Sequence, residues 1–82
     1  MPYDPVPPEV AIAALRACGT DVVIGPNHEV SLVKGDYEET LIFPPEGLKK
    51  HMLWRLKYHC GVPIQWFFNP ELIPGYEPPK PN

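Results

Sequence analysis

Eighty-two residues with a formal net charge of −3 leave room for one domain, and a domain of this size hides only about 60% of the surface its unfolded chain exposes, so its core must be small. At 44% hydrophobic and 21% charged, the chain is too apolar for a disordered polypeptide. No run approaches the roughly 18 apolar residues of a membrane span, and the N-terminus has neither a basic region nor an apolar signal core, so a cytoplasmic location is expected.

Prolines punctuate both ends: Pro2, Pro5, Pro7 and Pro8 precede the first apolar pattern, and Pro70, Pro74, Pro78, Pro79 and Pro81 follow the last. Proline resists helix and sheet alike, so residues 1–6 and 70–82 read as tails and 7–69 as the working domain. Pro7-Pro8-Glu9 suits the opening turn of a helix, with Glu9 at the positive end of its dipole. Val10, Ala11, Ala14, Leu15 and Cys18 then form one apolar stripe, and Gly19 is the natural stop.

Two short runs rich in β-branched residues follow, Asp21–Gly25 and His28–Lys34, with turn chemistry at Gly25-Pro26-Asn27 between them. After Gly35-Asp36 a third strand is expected over Glu38–Phe43, completing an antiparallel meander. Val30 and Leu32 share one face while Ser31 and Val33 share the other, so one face packs on helices and the other meets solvent. Pro44-Pro45 ends the sheet. The segment Leu48–Cys60 has Leu48, Met52, Leu56 and Cys60 four apart, an amphipathic helix stopped by Gly61 and Pro63, and Ile64, Trp66, Phe67 and Phe68 then form an aromatic turn that closes the core. The fold class is α+β, in the order α-β-β-β-α.

Cys18 and Cys60 each stand just before a glycine at a helix end. Two thiols make no disulfide framework, and the burial tendency of cysteine makes them buried free thiols. The only adjacent His–Cys pair is His59-Cys60, too few for zinc, so no metal or other cofactor is expected.

Charge is unevenly distributed. Residues 47–60 carry Lys49, Lys50, Arg55 and Lys57 without an acid, which leaves −7 on the rest of a chain whose total is −3. His51, Trp54, Tyr58 and His59 lie among these cations, and such a surface suits phosphates, stacked bases or an acidic protein partner. Charged residues off an apolar stripe are also what any solvated helix shows, and the overall acidity argues against nucleic acid as the default partner.

His28 is the single histidine outside that helix and sits at the mouth of the first hairpin. With an unperturbed pKa near ~6.5 it can take and return protons at neutral pH. RNA cleavage without a metal needs a base for the 2′-hydroxyl, an acid for the leaving oxygen and cations for the phosphate, which His28 with Lys49 or Lys50 can supply. No catalytic triad is visible, since the single serine is Ser31, and no glycine-rich phosphate loop is present.

The order of parts, a helix ending at Gly19, a strand, the turn from Gly25 to His28, two further strands, the exit Phe43-Pro44-Pro45 and a second helix ending at Gly61, resembles the HicA family over residues 9–68. That resemblance implies a double-stranded-RNA-binding-like fold, activity as an mRNA interferase, a HicB-like antitoxin as protein partner, and His28 as the histidine required for cleavage. Lys49, Lys50, Arg55 and Lys57 are then the RNA-backbone contacts. The chain departs from the family in its acidity, in Asn27 before the histidine, and in Glu29, Glu38 and Glu39 on the strands. A different class of function, a catalytically inactive protein-interaction module or small acidic inhibitor of the same fold, would use the acidic sheet or the Trp66/Phe67/Phe68 cluster. The edges of a three-stranded sheet also offer pairing between chains.

Overall fold

Pro7 and Pro8 fix the backbone where a helix can begin, and α1 runs Pro8–Ala17 in the computed structural model, which describes residues 5–76. Its inward stripe is Val10, Ala11, Ala14 and Leu15, all buried, with Cys18 half-buried just beyond the last turn. Gly19, at φ 84°, reverses the chain: its N–H donates to the Arg16 carbonyl and that of Thr20 to the Leu15 carbonyl, each at 3.0 Å. That pairing satisfies two carbonyls the helix end would otherwise leave open, and it needs the left-handed conformation glycine adopts without strain.

The three strands are β1 (Asp21–Ile24), β2 (Glu29–Lys34) and β3 (Tyr37–Ile42), antiparallel in the order β1-β2-β3. Leu32 is opposite Val22 on one side and Glu39 on the other, and Val30 is opposite Ile24 and Leu41. Val30 and Leu32 are buried on the helices, and Ser31 and Val33 face away, in the alternation expected of them. The third strand begins one residue before its expected start, because Tyr37 pairs with Lys34 across the Gly35-Asp36 turn.

The helices pack on one face of the sheet. Its other face carries Val23, Val33 and Ile42, exposed by 65%, 37% and 55%, beside Asp21, Glu38 and Glu29, with a Ser31–Thr40 hydroxyl pair at 3.0 Å in the middle. Arg16 Nη2 donates to the Val22 carbonyl at 3.3 Å, so one acceptor of β1 is engaged by a helix side chain.

The second long helix, α2 (Lys50–Cys60), starts two residues later than its apolar pattern predicts. Leu48 is instead a bridge residue: its N–H donates to the Val6 carbonyl at 2.8 Å and its carbonyl accepts from Val6 at 3.0 Å. Gly47, at φ 123°, permits this close approach, since a Cβ there would fall 2.5 Å from the Pro5 Cβ. The buried stripe of α2 is Leu53, Leu56 and Cys60, with Met52 half-buried. Residues four apart drift by about 40° per step around a 3.6-residue helix. A row of four therefore cannot stay on one face for three turns, and Leu53 takes the place nearest the core.

The aromatic segment forms a short helix, α3 (Ile64–Phe68), followed by a 3-10 turn over Pro70–Leu72. Phe67 is buried, and Trp66 and Phe68 are half-buried against the same core. Packing reaches past residues 7–69 at both ends, because Val6 and Ile73 are 3% and 2% exposed. Residues 1–4 and 77–82 of the expected tails lie outside the described residues.

One side chain joins three elements. Lys34, the last residue of β2, donates from Nζ to the Cys18 carbonyl at 2.8 Å and to the Cys60 carbonyl at 2.6 Å. These carbonyls lie at the C-terminal ends of α1 and α2, where partial negative charge collects, so one ammonium answers two helix dipoles.

Candidate functional site

On α2, Lys50, Trp54 and Tyr58 follow one another at four-residue steps along the outward side, with Lys57 on its shoulder. Trp54 is 41% and Tyr58 85% exposed, and the Lys57 ammonium lies 5.4 Å from the centre of the Trp54 ring. An ammonium over an indole face is electrostatically attracted to it, and a phosphate approaching that cation brings its base near the aromatic pair. Lys49 sits at the N-cap of the same helix, and both Lys49 and Lys50 are exposed.

The flank of α2 toward β3 has a different character. Arg55 Nε donates to Glu39 Oε1 at 3.3 Å and Arg55 Nη2 pairs with Oε2, while the Tyr37 hydroxyl donates to Oε1. The His59 ring lies flat on the Tyr37 ring, centres 4.4 Å apart and planes 1° from parallel. Four helical residues rise about 6 Å and two strand residues about 6.6 Å, so the steps Arg55 to His59 and Glu39 to Tyr37 match, and α2 runs antiparallel to β3. The Tyr37 hydroxyl and the Arg55 guanidinium hold the Glu39 carboxyl below its ordinary range. Burial, then the bond to Glu39, pushes the Tyr37 phenol up to about 12, which keeps it a donor at any physiological pH.

His28 lies elsewhere. The connection between β1 and β2 is a tight turn in which Asn27 and His28 both take positive φ, 57° and 66°, closed by Gly25 N–H to the Glu29 carbonyl at 2.8 Å. Left-handed backbone at two successive residues with side chains is strained. The His28 carbonyl accepts from Phe43 N–H at 2.9 Å, which puts the turn at the end of β3, on the side of the molecule where α2 begins. His28 therefore shares an end with Lys49 and Lys50. Its imidazole is exposed and makes no hydrogen bond, ion pair or ring contact among the described residues. From there to Tyr37 and His59 is roughly 20 Å, six strand residues at about 3.3 Å each.

The four cations of residues 47–60 thus divide. Lys49, Lys50 and Lys57 are exposed along the outward side, while Arg55 pairs with Glu39 through two of its five N–H groups. The Tyr37–Glu39–Arg55–His59 network was not foreseen, because its members come from two elements that only the fold brings together. The available signal was Arg55 and His59 one turn apart, facing a strand whose inward positions alternate Tyr37, Glu39 and Leu41.

Both thiols are held up by burial, Cys60 fully buried and Cys18 half-buried with Sγ 3.8 Å from the Gly61 carbonyl. An open depression of about 600 Å³ lies between the end of α1 and the start of β1, lined by residues that include Arg16, Thr20 and Val22. Among the described residues no group of three or more His, Cys, Asp or Glu side chains is placed to hold a metal ion, and no helix is long and apolar enough to cross a membrane. Comparisons with protein families, curated proteins and solved structures gave no match to this chain.

Proposed function

We propose that this chain is an RNA-binding domain of the double-stranded-RNA-binding-like α-β-β-β-α type, holding the phosphate backbone on the outward surface of α2. One observation carries the reading: Lys49, Lys50, Lys57, Trp54 and Tyr58 are exposed on α2 and its N-cap, a stretch (47–60) whose sequence has no acid, while Asp21, Glu29 and Glu38 lie on the far face of the sheet. An overall acidic protein can in this way present a locally basic side to a polyanion. In the toxin-like form of the reading, drawn from the resemblance to HicA proteins, binding precedes mRNA cleavage and a HicB-like antitoxin restrains it.

Fluorescence anisotropy of a mixed-sequence RNA, measured over a range of salt, tests the proposal. Three lysine–phosphate contacts give a log–log slope of roughly −2 to −3. Replacing Lys49, Lys50 and Lys57 together by alanine should bring that slope close to zero. Affinity that is flat with salt, or indifferent to the triple substitution, would exclude this surface.

A second reading rests on the open sheet face, where three aliphatic side chains and three acids stand without a cation among the described residues. Its partner would be a basic protein segment with aliphatic residues. Titration with a lysine-rich amphipathic peptide should then move the amide resonances of Val23, Ser31, Thr40 and Ile42, and shifts confined to other surfaces would count against it.

A further inference from the structure

The Tyr37–Glu39–Arg55–His59 network has the parts that metal-free RNA cleavage needs, and it borders the surface proposed to hold RNA. The reaction requires a base for the 2′-hydroxyl, an acid for the 5′-oxygen, and donors for the non-bridging phosphate oxygens. Glu39 is an anionic carboxylate whose side chain is 27% exposed, so it meets solvent. Three donor bonds fall on it, two at Oε1 and one at Oε2, and Oε2 keeps a lone pair for a proton. Arg55 offers five N–H donors, of which two are engaged, so its remaining N–H groups are available to a phosphate. His59 is exposed, and stacking on Tyr37 fixes the plane of its imidazole. His28 has no comparable company.

We propose that Glu39 and His59 are the general base and general acid of a ribonuclease site on the seam between β3 and α2, with Arg55 binding the reacting phosphate. The inference rests on the RNA-binding reading above. Glu39 takes the proton of the ribose 2′-hydroxyl as the 2′-oxygen bonds to the adjacent phosphorus. The bond from phosphorus to the 5′-oxygen breaks, and that oxygen takes a proton from the His59 imidazolium. The products are a 2′,3′-cyclic phosphate and a 5′-hydroxyl, and exchange with water returns both side chains to their starting states. Tyr37 is a positioning residue, donating to Glu39 and supporting the His59 ring.

The test uses the full chain with chelator present and a mixed-sequence RNA containing paired and unpaired segments. Cleavage, RNA affinity and thermal unfolding are measured for the parent, Glu39→Gln, His59→Gln, Tyr37→Phe and His28→Ala. The parent should yield 2′,3′-cyclic phosphate ends. Glu39→Gln and His59→Gln should each slow cleavage by about 100-fold or more, the usual contribution of a positioned acid or base, with RNA affinity retained. Tyr37→Phe keeps the ring beneath His59 and should lower kcat while leaving KM. If Glu39→Gln does not fold, His59→Gln decides alone, because its imidazole is at the surface. RNA binding without cleavage by the parent overturns this site and leaves the binding reading standing. Absence of RNA binding removes both. Cleavage that survives in both Glu39→Gln and His59→Gln but disappears in His28→Ala moves the chemistry to the hairpin and overturns the proposal.

Discussion

His28 and His59 are both exposed imidazoles, and their surroundings could hardly differ more. His28 projects from a turn whose backbone is strained at two consecutive residues, and among the described residues its side chain makes no hydrogen bond or ion pair. His59 lies on a tyrosine whose hydroxyl is bonded to a carboxylate, which is itself clamped by an arginine. In the sequence His28 stands out because it is isolated, whereas His59 is hidden among the polar residues of a helix. Isolation along the chain is what makes a residue conspicuous, and company in space is what makes proton transfer feasible.

The surroundings of His59 depend on the fold that carries them. Lys34→Met removes the ammonium that bonds the ends of α1 and α2 beside His59, leaving two carbonyls without their charged donor. A loss of about 3 kcal/mol is expected, the low end for two charge-assisted bonds because the lysine is only part-buried. Urea unfolding checks it, and a change below about 0.5 kcal/mol would show that the lysine merely rests there. His28→Gly acts in the opposite direction, relieving the left-handed backbone at φ 66°, and should stabilise by about 0.5–1 kcal/mol where His28→Ala does not. Equal unfolding midpoints for the two variants would remove strain from the description of the turn.

The smallest effect concerns acid. The Glu39 carboxyl titrates below its ordinary value of 4.5 because the Tyr37 hydroxyl and Arg55 favour its charged form. Its contribution to stability is therefore complete above that value and is lost as the pH falls through the lowered one. Glu39→Gln should flatten the decline in stability of the parent below about pH 5, and parallel curves for the two proteins would show the carboxylate to be energetically idle.

Much of the fold was legible because its signals are local. Pro8 and Gly19 bracket α1, Gly61 ends α2, and the alternation of Val30 and Leu32 with Ser31 and Val33 orients the sheet. The misplaced start of α2 has a non-local cause. Leu48 fits the apolar spacing of the helix, and only contact with Val6, forty-two residues earlier, makes it a strand-like bridge. The aromatic cluster also turned inward, so Phe67 belongs to the core and is no docking surface. The candidate site was legible by half. The basic outward surface of α2 follows from composition, but the neutralisation of Arg55 by Glu39 depends on the register between a helix and a strand, which neither segment encodes alone.

Lys34 also sets how the molecule can open. Its ammonium bonds the ends of α1 and α2 separately, so fraying of either helix there costs its bond to Lys34, and displacement of the end of β2 costs both. Opening at that end therefore costs at least one charge-assisted bond, while the turn at His28 can open without one. Amide hydrogen exchange in this small protein should accordingly be graded from end to end, fast around Asn27 and slow where the two helices converge, with the Glu39–His59 seam in the slow part.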